Sequence, residues 1–77
     1  MDIPPQFDRP PSIPVIEQRL NHDTLQIICR ASNTARWFET YYGCAVRKPD
    51  KCVVFLSVQA GEDVRRHELA HCNGWQH

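Results

Sequence analysis

Long hydrophobic runs are missing from these 77 residues: the longest, Val53 to Leu56, falls far short of the ~20 residues a membrane helix needs. No membrane span is expected. Net charge is missing as well, since nine Lys and Arg balance nine Asp and Glu. Without a basic block, the chain has no surface for neutralising phosphates, which argues against a nucleic-acid partner. The start, Met1-Asp2-Ile3-Pro4-Pro5, has neither the positive charge nor the apolar stretch of a secretory signal, so a cytoplasmic location is the expectation. No pair of cysteines has C-x-x-C spacing. Cys29, Cys44, Cys52 and Cys72 stand 15, 8 and 20 residues apart, which argues against a four-cysteine metal site. Their even number permits two disulfides, but a reducing cytoplasm favours buried free thiols. There is no internal repeat.

What is present fits one small domain. At this length a single core is marginal, and a staple such as a metal, a disulfide or a partner chain is expected. Residues 1–14 hold five of the six prolines, each fixing φ and removing a backbone donor, and are read as an extended or disordered arm. Residues 15–77 form the domain. Pro14 to Leu20 reads as an edge strand, and Asn21 or Asp23 caps a helix running through Cys29, with Leu25, Ile28 and Cys29 on one face. Ala35 to Tyr42 reads as a second helix, with Trp37, Phe38, Tyr41 and Tyr42 filling the core before Gly43. The polar turn Arg47 to Lys51 joins two strands, Cys44-Ala45-Val46 and Cys52 to Val58. A last helix begins after Gly61, runs to about Cys72 and stops at Gly74. The expected class is α+β, a small sheet packed against two or three helices.

Three of the four histidines lie in the last eleven residues, from His67 to His77. On a helix His67 and His71 are one turn apart on one face, so both imidazoles can meet one Zn²⁺ at about 2.0–2.1 Å. Glu68 sits about 100° round the helix, where its carboxylate can take a proton from metal-bound water. Gly74 can adopt the left-handed conformation that turns the chain back and brings His77 to the same ion. Leu69, opposite the histidine pair, is the expected anchor of this helix in the core.

The string matches HExxHxxGxxH and so resembles the metzincin clan of zinc metallopeptidases at His67, Glu68, His71, Gly74 and His77. More loosely, the Gly-Cys-Ala, the Cys-led strand and the helix His-Glu-Leu-Ala-His-Cys-Asn-Gly-Trp resemble short metallopeptidase-like proteins encoded by phages and plasmids. The resemblance implies a minimal zincin-like domain with one zinc held by His67, His71 and His77 and with Glu68 as general base and acid. It also implies a peptide substrate extended along the edge of the strand before the helix, Val53 to Val58. Met1 is the only methionine, so the chain has no residue for the methionine turn that metzincins place beneath the metal. The α-carboxylate of His77 is a rival ligand for the open position.

Two functions follow as expectations. One is peptide-bond hydrolysis, in which zinc activates water, Glu68 takes its proton and then delivers it to the leaving amine. The other is a zinc-stapled binding or inhibitory module, with the proline-rich arm and Trp37 to Tyr42 as the surface that meets a protein target. Elsewhere the ordinary readings apply: His22 exposed at a helix start, Cys72 packed, and Arg65 and Arg66 on a solvated face.

Overall fold

The computed structural model describes residues 3–32 and 41–75. Five elements follow in order: β1 (Val15–Leu20), α1 (His22–Ser32), β2 (Gly43–Arg47), β3 (Cys52–Ser57) and α2 (Glu62–Cys72). The α+β expectation holds. The sheet order is β1-β3-β2, with β1 parallel to β3 and β2 antiparallel to it. The strand richest in apolar residues, β3, takes the centre, where both of its faces can be covered. Its backbone is therefore paired on both sides, and the expected substrate edge along Val53 to Val58 does not exist.

The period of two along β3 sorts its side chains onto two faces. Cys52, Val54 and Leu56 form one core with Cys72 of α2, joined by Val15 and Ala45 from the flanking strands. Phe55 points the other way and packs with Leu25 and Cys29 of α1 and Cys44 of β2. The sheet is thus sandwiched between the two helices. Each face carries one disulfide: Cys52–Cys72 ties α2 to the central strand and Cys29–Cys44 ties α1 to β2, both with Cα–Cα of 5.8 Å. The expectation of free thiols is corrected here. Each pair sits where a helix crosses the sheet at a separation a disulfide can bridge, and two cross-links meet the small domain's need for a staple.

The helices start and stop as the sequence signals. Asn21 caps α1, its Oδ1 accepting from the Thr24 amide at 2.9 Å. Residues 3–14 are not the extended or disordered arm expected. They fold through turns closed by Phe7 N to Pro4 O and Asp8 N to Pro5 O, and Asn73 Nδ2 donates to the carbonyls of Phe7 (2.9 Å) and Arg9 (2.7 Å). Prolines that rule out regular structure still permit turns, and a side-chain amide just past α2 supplies the anchor. Of the expected helix over Ala35 to Tyr42, all but the last residues lie outside the described segments, Trp37 and Phe38 included; Tyr41 and Tyr42 are not helical.

Candidate functional site: a histidine ridge and a buried carboxyl beside an open strand edge

Helix α2 leaves Gly61 with Glu62 and Asp63 in its first turn, where negative charge suits the helix dipole. It ends in a Schellman turn: the Gly74 amide donates to His71 O, the Trp75 amide to Ala70 O, and Gly74 takes φ +97°. Only glycine adopts that angle without strain. The turn folds Trp75 back over the helix. Its carbonyl lies 2.7 Å from His71 Nδ1, and its ring stacks on the His71 ring at 5.2 Å and 13°. A carbonyl only accepts, so His71 Nδ1 carries the proton. His71 Nε2 faces His67 Nε2 at hydrogen-bond distance, 3.1 Å. His67, His71 and Trp75 make a continuous aromatic ridge, with His67 edge-on to both neighbours.

Glu68 turns off this ridge and into the protein. It is only 6% exposed. Its Cγ lies 3.1 Å from where a Cβ on Gly43 would stand, so the missing side chain of Gly43 makes the room it occupies. Burial pushes its carboxyl up to about 7, because the charged form loses its hydration. Among the described residues no hydrogen bond or ion pair compensates that loss.

This arrangement overturns the zinc reading. Among the described residues no group of three or more His, Cys, Asp or Glu side chains could hold a metal. His67 and His71 do meet, but their Nε2 atoms bond to each other. Glu68 faces the sheet, Cys72 is spent in a disulfide, and His77 lies outside the described residues. The resemblance to metzincins, and to short phage and plasmid metallopeptidases, therefore stops at the motif, and neither zinc nor a metallopeptidase assignment follows from it. Leu69 does pack against the core as expected, though only half-buried, beside the buried Cys72.

Alongside α2 runs β2, whose outer edge pairs with no other strand among the described residues. The ladder shows which backbone groups face outward. Ser57 N bonds Tyr42 O and Lys48 N bonds Lys51 O, so residues 42, 44, 46 and 48 point toward β3. The amides and carbonyls of Gly43, Ala45 and Arg47 then point away from the sheet. This edge carries neither a charge nor a proline before Arg47. The opposite edge, β1, is guarded: Glu17 pairs with Arg65, and Arg19 bonds the carbonyls of Ser57 and Ala60. The spacing argument did not reach Gly43, Ala45 or Trp75. The uncharged run Gly43-Cys44-Ala45-Val46 was the signal for the open edge.

Two other places hold chemistry-bearing residues. His22 is half-buried, with Nδ1 3.3 Å from Ser57 Oγ and its ring 5.2 Å from that of Tyr42, so it is not the exposed residue expected. Ser57 is fully buried and its Oγ also accepts from the Gln59 amide, which makes this pair a structural tie. A groove of about 510 Å³ lies between the N-terminal turns and α2, floored by Phe7, Val15 and Leu69 and rimmed by Arg66 and Asp8, which pair with each other. No family model, no curated protein and no solved structure matches the chain.

Proposed function

We propose that this protein is a disulfide-stapled binding module that takes an extended segment of a partner protein or peptide as an added strand along β2. The observation that carries the reading is the edge of Gly43, Ala45 and Arg47, three outward-facing backbone positions that no strand among the described residues pairs, on a strand without charge or proline before Arg47. Isolated proteins protect such edges, because unpaired amides and carbonyls recruit other strands. Strand addition satisfies them with main-chain hydrogen bonds, while side-chain surfaces alongside select the sequence. The ridge of His67, His71 and Trp75, with Glu68 beneath Gly43, is that surface. It replaces the contact surface first expected, since the N-terminal turns are tied down by Asn73 and Tyr41 packs into the core around α1. The two disulfides support work in an oxidising compartment, where such bonds persist, in place of the cytoplasm. No helix among the described residues is long and apolar enough to cross a membrane.

The test is Ala45→Pro. Proline deletes an amide that faces outward and leaves the ladder to β3 intact, a position where strands tolerate it. Peptides selected from a library of extended ten-residue sequences should shift the amide resonances of Gly43, Ala45 and Arg47 in the wild type, and Ala45→Pro should lose binding while keeping its circular dichroism. Binding that leaves those amides unmoved, or that survives Ala45→Pro, overturns the reading. So does cleavage of the bound peptide that disappears in Glu68→Gln.

A further inference from the structure

We infer that the segment taken by β2 is basic, and that the residue seated opposite Gly43 is a lysine or arginine whose cationic head meets Glu68. The inference rests on the edge-strand reading above and adds the chemistry of the partner. In the β2–β3 pair, Gly43 faces Leu56 and Ala45 faces Val54, and these side chains belong to the core on the α2 side of the sheet. Directly opposed residues on neighbouring strands project to the same face. A strand added outside β2 therefore places the side chain opposite Gly43 on the α2 side, over the residue that fills the space below Gly43. That residue is Glu68.

Three features make this spot suited to a cation. Glu68 is more than nine-tenths buried, and among the described residues it has no hydrogen bond or ion pair, whereas the nearby Arg65 and Arg66 are engaged with Glu17, Glu62 and Asp8. Its burial is not complete: 6% of its surface stays exposed, which leaves an incoming group a way to it. Gly43 contributes no side chain to block the approach. A buried carboxyl without a partner is costly, and a charge-assisted hydrogen bond from an ammonium or guanidinium is the contact that offsets it.

The experiment uses two probe peptides, ten residues long, rich in Val and Thr and otherwise uncharged, one with a central lysine and the other with acetyl-lysine in its place. Affinities are read by fluorescence anisotropy with the disulfides intact. The wild type should prefer the lysine peptide by about tenfold or more, and in Glu68→Gln, checked for folding by circular dichroism, the two affinities should converge. Equal affinities in the wild type, with Ala45→Pro still abolishing binding, overturn the charge inference and leave the edge reading standing. A lysine preference that survives Glu68→Gln overturns the assignment to Glu68. Binding of neither peptide overturns both.

Discussion

Replacing Glu68 with Gln should stabilise the unliganded fold relative to the wild type by an amount that grows as the pH rises from about 4.5 to about 7 and is constant outside that window. The carboxyl is raised from an ordinary 4.5 to about 7 by burial alone, which corresponds to a penalty of about 3 kcal/mol for carrying the charge inside. Below pH 4.5 the folded and unfolded chains both hold the proton, and the penalty is absent. Between 4.5 and 7 the unfolded chain releases its proton while the folded chain keeps it, so stability falls as pH rises. Above 7 the full penalty applies. Glutamine carries no charge at any pH, and whatever its amide loses in hydrogen bonding is the same throughout. Other carboxylates titrate equally in both proteins, so the difference between variant and wild type isolates this one. Urea unfolding followed by tryptophan fluorescence, with disulfides intact, should show that difference growing by about 3 kcal/mol in favour of Glu68→Gln between pH 4 and pH 8. A difference flat across that range would mean that the carboxyl is hydrated or paired in the folded chain, and the case for an uncompensated Glu68 would fail.

Two further outcomes bear on the frame around the site. Breaking either disulfide by paired Cys→Ala substitution should cost about 3 kcal/mol, since the closed loops of 15 and 20 residues are similar in length. Loss of Cys52–Cys72 should loosen α2, read as faster hydrogen exchange of its last turn, whereas loss of Cys29–Cys44 should act on α1; exchange unchanged in the tethered helix would refute that division. Gly74→Ala should cost about 1–2 kcal/mol by forcing a side chain into the left-handed region at φ +97°, and it should disturb the His71–Trp75 stack. An unaltered melting temperature would refute it.

The elements were legible because local signals and tertiary packing agree on them. The apolar run from Cys52 marked β3, Asn21 or Asp23 marked the start of α1, and Gly61, the acidic Glu62 and Asp63 and then Gly74 marked the bounds of α2 together with its left-handed turn. Sheet order was not legible from the same signals. The metzincin resemblance implied that the strand before α2 would offer its edge, but β1 pairs with it in parallel across the crossover through α1 and occupies that edge. The cysteines were misread for a related reason. Separations of 15 and 20 residues say nothing of proximity until the register shows that Cys44 and Cys52 project from opposite faces, each meeting a helix that carries its partner.

The histidine string shows where a spacing argument ends. The spacing fixes a helix and puts His67 beside His71, and both follow from 3.6 residues per turn. It does not fix what the residue between them faces. That is decided across the sheet, where a glycine at 43 leaves a space one carboxyl side chain can fill. With any larger residue at 43, Glu68 would be displaced toward the ridge and solvent, the setting in which the motif was first read as a metal-bound water site. Gly43→Ala separates the two determinants. The added Cβ would stand 2.9 Å from Leu56 Cδ2 and 3.1 Å from Glu68 Cγ, so one of the two side chains must move. Glu68 is the one with solvent to move into. Its carboxyl should then titrate nearer its ordinary value, and the pH-dependent gap between Glu68→Gln and its parent should shrink when both are measured in the Gly43→Ala background. A gap of undiminished size would show that Gly43 does not set the position of Glu68.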